Sequence, residues 1–298
     1  KWCHARCTGR SGGGGCNAID HMVLSGIQHV EFVAINTDSQ VLERSHAPVT
    51  LQIGGKLTEG LGAGANPEQG RKAAHEDMEK LESLLKGCHM LFITAGMGGG
   101  TGTGAAPVIA EVAQKLDILT VAVVTKPFIW EGAKRMASAN AGLEELMPKV
   151  DASLIIPNQN LLHLVDKQTP MSQAFSLVNE VLRQAVQGIS DIIMLPGLIN
   201  VDFADVRAVM QDAGSAIMGV GVATGEDRAV SAARAAVSSP LLDIAIDGAR
   251  GVLFNVSGGP DMTMWEINEA AKSSPIPSTR TRSSSSVRFT TNGSRRAS

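Results

Sequence analysis

The sequence contains no tyrosine, and its aromatic residues amount to only 3% of 298. Hydrophobic residues still make up 44%, so a core of ordinary size must be aliphatic, built from Val, Ile, Leu, Met and Ala. No run of 18 apolar residues occurs, and no membrane span is expected. The opening stretch "KWCHARCTGRSGGGG" lacks the apolar segment of a secretory signal. Four cysteines, Cys3, Cys7, Cys16 and Cys88, have no framework spacing, and reduced thiols in a cytosolic compartment are the expectation. "CHARC" has no second ligand cluster after it, so no metal site is expected. Nucleic acid is excluded as a main partner by the distribution of charge. Residues 1–11 carry Lys1, Arg6 and Arg10 without an acid, and residues 273–298 carry five arginines without an acid, while the net charge is −3. The chain between these ends is therefore acidic on balance.

What the sequence does contain is an alternation of buried-strand and helix patterns from residue 28 to 157. "VEFVAI" (30–35), "MLFITA" (90–95), "ILTVAVVT" (118–125) and "SLIIP" (153–157) read as strands. The near-continuous apolar runs among them fit parallel strands covered on both faces. "RKAAHEDMEKLESLLK" (71–86) puts Ala74, Met78, Leu81 and Leu85 on one helical face, with Gly87 as the stop. "AAPVIAEVAQKL" reads as a helix with Pro107 in its first turn, and 131–147 as another. A long helix is expected from Pro170 to about Met194, with Gly188 a soft point, and a short one near 203–213. The stretch 215–224, a helix over 226–238 and the strand 251–257 form a second α/β unit. Thr263 and Glu266 make a capping box for a last helix to about Lys272. The tail after 273 is too poor in apolar residues to order itself and is expected to be disordered. The fold class is thus α/β, a Rossmann-like parallel sheet, a long central helix and a second, smaller α/β domain.

"GMGGGTGTG" (96–104) places six glycines in nine positions between a strand and a helix start. Free amides and the helix dipole point into such a loop, which suits phosphate. It lacks the lysine of a Walker loop, so main-chain amides and the hydroxyls of Thr101 and Thr103 must serve, with a Mg²⁺ ion. Two further glycine clusters, "GGGGCN" (12–17) and "GLGAGANP" (60–67), also precede helices, and together the three suggest a phosphate chain held from several sides.

"GGGTGTG", together with "GLGAGANPE", "VVTKPF", "EGAKRM", "IPNQNLL" and "PGLINVDFADV", resembles the tubulin superfamily, and within it the FtsZ family, over roughly residues 12–272. The resemblance implies a GTPase that binds GTP and GDP with Mg²⁺ and polymerises head-to-tail with itself. It implies a role in cell or organelle division, a cytoplasmic location at the division site, and partners in the division machinery. Gly13, Gly14, Gly15, Cys16 and Asn17 match the first nucleotide loop, Ala63, Gly64 and Ala65 the loop near the γ-phosphate, and Gly98, Gly99, Gly100, Thr101, Gly102, Thr103 and Gly104 the central phosphate loop. Thr125, Glu131 and Arg135 match the ribose and phosphate edge. Glu131 and Arg135 are equally an ordinary i,i+4 helix pair. Asn158, Phe175 and Asn179 match the guanine pocket, although Phe175 also suits a helix core. Asn179 stands where the family usually has Asp and offers an uncharged acceptor. Asn200, Asp202 and Asp205 match the catalytic loop presented to the next subunit's nucleotide, and Asp202 is also a suitable N-cap for the helix at 203.

The domains expected on this basis are an atypical leader (1–11), a GTP-binding domain (12–169), a central helix (170–194), an incomplete C-terminal catalytic-loop domain (195–272) and a Ser/Arg-rich tail (273–298). "RCTGRS" (6–11) replaces the family's apolar first strand. Four buried apolar side chains there would contribute roughly 6–12 kcal/mol, so the sheet is expected to lack its central strand or fill it poorly. Both ends read as unrelated sequence joined to the core. Two alternatives stay open: a nucleotide-binding filament protein or inactive fragment with little GTP turnover, and a Rossmann-type oxidoreductase.

Overall fold

The structure, a computed structural model, describes residues 2–8, 14–162, 166, 168–195, 201–238, 251–259, 261–273 and 282–289, with backbone alone at 2–8, 14–17 and 282–289. Its elements in chain order are β1 (Trp2–Thr8), α1 (Gly14–Leu24), β2 (Glu31–Asn36), α2 (Ser39–Glu43), β3 (Val49–Gln52), α3 (Gly55–Thr58), α4 (Pro67–Glu76), α5 (Met78–Leu85), β4 (Met90–Gly96), α6 (Thr101–Lys115), β5 (Leu119–Lys126), α7 (Ala133–Leu146), β6 (Ala152–Pro157), α8 (Asn158–Leu161) and α9 (Met171–Met194). They continue with α10 (Phe203–Met210), β7 (Gly214–Ala216), α11 (Arg228–Val237), β8 (Gly251–Gly258), α12 (Met264–Ser273) and β9 (Arg282–Phe289). Two units are distinguished, residues 1–187 with 214–216, and residues 188–213 with 217–298.

In the first unit the strands form one sheet in the order β3-β2-β1-β4-β5-β6-β7 among the described residues, and every neighbouring pair is parallel. The apolar runs of β4 and β5 are buried on both faces, as their lack of alternation predicts. Small residues let α6 sit close: its positions from Thr101 to Ala110 are all buried. Three expectations are corrected here. Residues 2–8 form the central strand β1, hydrogen-bonded to β2 on one side and β4 on the other, because ladder pairing is a backbone interaction that two flanking strands offer to whatever residues lie between them. The single helix expected over 71–86 is broken at Asp77 (φ −109°, ψ 28°), whose carboxylate accepts the Gly54 N–H at 2.7 Å and meets Lys80 Nζ at 2.5 Å. Finally, α6 begins at Thr101, so Pro107 lies in its second turn and removes the donor that the Thr103 carbonyl would otherwise receive.

Further differences concern the ends of elements and the thiols. Gly214–Ala216 joins the main sheet beside β6 instead of the second unit. Cys88, buried in the core, is disulfide-bonded and not a reduced thiol. The leader residues 1 and 9–11 lie outside the described residues, as do parts of the tail. Among the described residues no helix is long and apolar enough to cross a membrane.

The second unit contains α10 against a parallel pair of strands, β8 and β9. Residues 282–289, expected to be disordered, form β9 in this pair, in register from Gly251↔Arg282 to Gly258↔Phe289. Next to it α11 packs on α12, and Arg228 at the start of α11 ties the two. Its guanidinium reaches Glu266 Oε1 at 2.7 Å and Asp261 Oδ2 at 2.8 Å. The expected capping box is formed, with Thr263 N–H donating to Glu266 Oε2 at 2.7 Å and Glu266 N–H to Thr263 Oγ1 at 3.2 Å. Arg228, and then the Thr263 donors, hold the Glu266 carboxyl down from 4.5 to about 2. A lowered carboxyl stabilises the folded state fully above pH 4.5, and that contribution fades as pH falls towards 2. Replacing Arg228 by Ala should therefore speed amide hydrogen exchange in α11 and α12 between pH 7 and 4.5, with the difference from the parent closing near pH 2. A difference that does not depend on pH would show that packing, not this ion pair, joins the helices.

Candidate nucleotide-binding site

Because all strands of the main sheet are parallel, their carboxyl ends share one edge, and the chain reverses its order of addition between β1 and β4. That reversal is where open α/β sheets leave a crevice for ligands. The segments leaving β1 and β4 both enter helices, α1 and α6, whose first amides face this edge. Gly13 of the first loop lies outside the described residues. Gly14, Gly15, Cys16 and Asn17 form the first turn of α1.

The loop after β4 is buried and tightly folded. Met97 N–H donates to the Thr125 carbonyl at 2.9 Å, and Gly98 N–H to Thr103 Oγ1 at 2.8 Å. Gly98 has φ +98°, and a Cβ there would lie 2.7 Å from the Arg135 carbonyl. Gly99, Gly100 and Gly102 continue the buried path, and Gly104 N–H closes the first helical turn on the Gly100 carbonyl at 3.0 Å. Thr101 and Thr103, expected to offer their hydroxyls to phosphate, are engaged within the protein: Thr101 Oγ1 lies 2.7 Å from Thr37 Oγ1, and Thr103 orders the loop. The second glycine segment meets the first at Gly100, whose Cβ would fall 2.8 Å from Ala63 Cβ and 3.0 Å from Asn66 N. Past Ala63, Gly64 and Ala65 both take left-handed backbone (φ 57° and 59°) and are exposed, and Asn66 caps α4 by accepting the Glu68 N–H at 3.0 Å.

At the ends of β5 and β6 the remaining candidates are found. Thr125 is buried next to the loop. Glu131 pairs with Arg135 at 3.1 Å and also accepts the Phe128 N–H at 2.8 Å. Phe175 of α9 meets Phe128 edge-on at 5.6 Å, and Phe128 stacks on Trp130 at 5.4 Å, which brings the first half of α9 to this edge. One turn on, Glu180 Oε2 lies 4.0 Å from His21 Nε2 of α1. Arg183 first, and Gln184, hold the Glu180 carboxyl below the usual range. Asn158 and Asn179 are only 6% and 7% exposed, and the Oδ1 atom of each is buried without a hydrogen-bond partner. An unmet acceptor in the interior is costly, and two of them beside an aromatic group suit the donor-bearing edge of a base.

The catalytic candidates belong to the second unit. Asp202 is the N-cap of α10, its Oδ1 accepting the Asp205 N–H at 2.9 Å. Asp205, in the first turn, is exposed, and Asn200 lies outside the described residues. The sequence reading did not single out Thr37, although a polar residue directly after a buried strand at a sheet's carboxyl edge marks such a place. Among the described residues no three His, Cys, Asp or Glu side chains gather to hold a metal.

A doubly wound parallel sheet with glycine-lined helix starts at its reversal point, and unmet amide acceptors beside them, defines a nucleotide-binding protein. Residues 8–166 match the Tubulin/FtsZ family, GTPase domain, and residues 214–280 match the FtsZ family, C-terminal domain. The chain belongs to the Tubulin/FtsZ family, which sets aside the oxidoreductase reading. It is similar to an FtsZ dimer from M. jannaschii at 43% identity, over 98% of this chain and 84% of that one, with a TM-score of 0.88. A W319Y mutant of the M. jannaschii protein matches at 44% identity, over 97% and 86%, again with a TM-score of 0.88. At 22% identity, the GTPγS-bound protofilament of CetZ2 from Haloferax volcanii shares the fold, over 97% and 90%, with a TM-score of 0.77.

Proposed function

We propose that this chain binds GTP at the carboxyl edge of its main sheet and hydrolyses it within head-to-tail filaments that serve cell or organelle division. The observation that carries this reading is the meeting of the two glycine segments at Gly100 and Ala63, at the edge where α6 begins. Amides of both segments can reach one chain of phosphates there, without a lysine. Asn158 and Asn179 would take the N1–H and amino group of guanine, with Phe175 beside the ring. A Mg²⁺ ion would enter on the phosphate oxygens of the nucleotide and neutralise their charge. Among the described residues no three His, Cys, Asp or Glu side chains gather to hold one.

Hydrolysis needs a water placed in line with the terminal phosphate, mainly a matter of position and charge. Asp202 is engaged by the Asp205 N–H, so it orders the turn while the exposed Asp205 carboxylate is available to orient water, with Asn200 as its helper. These residues lie in a different unit from the glycine segments, which supports a site completed by a neighbouring subunit through a heterologous, open-ended contact. The dimer and protofilament forms of the relatives support self-association. Proteins of the division machinery, and a cytoplasmic place at the division site, follow from the same reading.

Thermal denaturation with GTP, GDP, ATP and NAD tests nucleotide choice. At a hundredfold excess over the dissociation constant a ligand stabilises by about 2.7 kcal/mol, so GTP and GDP should raise the midpoint by about 5–10 °C, with ATP and NAD far less effective. Asn158→Ala and Asn179→Ala should each weaken GTP binding by about two- to tenfold, the worth of one neutral hydrogen bond. Stabilisation by NAD alone, or by none of the four, would overturn the reading.

A further inference from the structure

Thr37 follows directly on β2, is wholly buried, and places its hydroxyl 2.7 Å from that of the equally buried Thr101, 64 residues away. Thr101 is the first residue of α6, at the exit of the central glycine loop. On its other side Thr37 is fixed to the segment that leads into residues 60–66. Its carbonyl lies 3.3 Å from Thr58 Oγ1, whose single proton it shares with the Gly54 carbonyl at 2.9 Å. Thr58 carries the next turn, its own carbonyl accepting the Leu61 N–H at 2.9 Å. The neighbours of Thr37 repeat the tie: Asp38 bridges Leu61 as an isolated antiparallel pair, and Ser39 N–H donates to the Gly60 carbonyl at 3.1 Å. At the far end Ala63 and Asn66 rest on Gly100. Residues 62–65 thus form a short strap with left-handed backbone at Gly62, Gly64 and Ala65, anchored at Leu61 through β2 and at Asn66 through the glycine loop.

Of these anchors, the Thr37–Thr101 pair is a side-chain bond that joins the β2 end directly to the start of α6. A buried hydroxyl pair leaves the remaining hydroxyl stranded when its partner is lost, so it fixes spacing more firmly than an apolar contact. We infer that Thr37 is a positioning residue for the terminal phosphate: through Thr101 it sets how closely the 62–65 strap lies over the head of α6. This rests on the reading of that edge as a GTP site. A nucleotide that lacks the terminal phosphate does not need the strap at its proper distance, so the bond should matter for triphosphate and not for diphosphate.

The test compares the parent with Thr37→Val, which keeps the shape and removes the hydroxyl, and with Thr37→Ser, which keeps the hydroxyl. Dissociation constants for GTPγS and GDP are measured on dilute protein by displacement of a fluorescent GDP, with amide hydrogen exchange of residues 60–66 as a second readout. In Thr37→Val the preference for GTPγS over GDP should fall about fivefold or more, with GDP affinity within twofold of the parent, and exchange in 60–66 should rise. Thr37→Ser should restore both. Equal losses for the two nucleotides would assign Thr37 to general stability and overturn the inference, as would an unchanged preference in folded Thr37→Val. If Thr37→Val does not fold, Thr37→Cys, with a weak donor of similar size, is judged by the same ratio. A parent protein that binds neither nucleotide would defeat the GTP reading itself and remove the ligand that Thr37 is inferred to position; a parent that binds both, with no effect in the variants, would defeat only the role of Thr37.

Discussion

An Asp205→Ala variant should bind GTP and enter filaments as the parent does, yet hydrolyse GTP about a hundredfold or more slowly, the usual cost of misplacing an attacking group. Asp205 is exposed and lies in the first turn of α10, where its backbone N–H, not its carboxylate, is used by Asp202. Loss of the side chain therefore leaves the cap intact and the helix folded. Asp202→Ala should behave differently, since it removes the cap as well, at a cost of about 1 kcal/mol. Mixing makes the experiment sharper. Gly100→Ser crowds Ala63 and Asn66 and should cripple the phosphate loop while leaving Asp205 sound. Co-assembled with Asp205→Ala, it should restore activity up to about a quarter of the parent's, the share of random head-to-tail contacts that join a sound loop to a sound carboxylate. Absence of rescue in demonstrably mixed filaments would place the whole site within one chain.

The second large effect concerns Gly104. It lies one turn into α6, where α4 crosses, and a Cβ on it would strike the Pro67 carbonyl oxygen and come within 2.7 Å of Arg71 N and 2.9 Å of Pro67 C. These are backbone atoms of the neighbouring helix and cannot swing aside. Gly104→Ala should therefore destabilise the protein by about 3 kcal/mol, the upper range for overpacking, and lower the thermal midpoint by about 6–12 °C. It should also weaken nucleotide binding, because α4 carries the strap at 62–65 on its leading end. Gly188→Ala is the matching control. That glycine is also helical, yet has no neighbour within 4 Å, so the change should stabilise by up to about 1 kcal/mol. Equal effects at the two sites would contradict the account of close helix contact.

Much of this architecture could be read from residue patterns. The runs at β4 and β5 lack alternation because both faces are covered, and the Thr263–Glu266 spacing marks a capping box that the structure forms. β1 could not be read in the same way. "WCHARCT" has little of a strand's apolar pattern, and its place is set by backbone pairing to β2 and β4, which composition does not encode. The break at Asp77 depends on a tertiary bond to Gly54, and its helical periodicity continues across the break without a local signal. In the site, the glycine clusters stood out in the sequence as candidates for holding phosphate, but not that Gly100 and Ala63 touch. The base candidates Asn158, Phe175 and Asn179 rested on resemblance alone. The burial and unmet oxygens of the two asparagines, and the edge-on contact of Phe175, are visible only once α9 is brought alongside Phe128.

The central claim is that nucleotide held by one subunit is hydrolysed by carboxylates of another, and the dependence of GTPase rate on protein concentration tests it most directly. Specific activity per molecule should stay near zero while subunits are dilute, then rise steeply and level off as filaments form. Asp205→Ala should assemble over the same range while remaining slow. A specific activity that is constant across the range would show a site complete in a single chain. Filaments that form and bind GTP without turning it over would leave a nucleotide-binding filament protein, and the hydrolytic role given to Asp205 would be wrong.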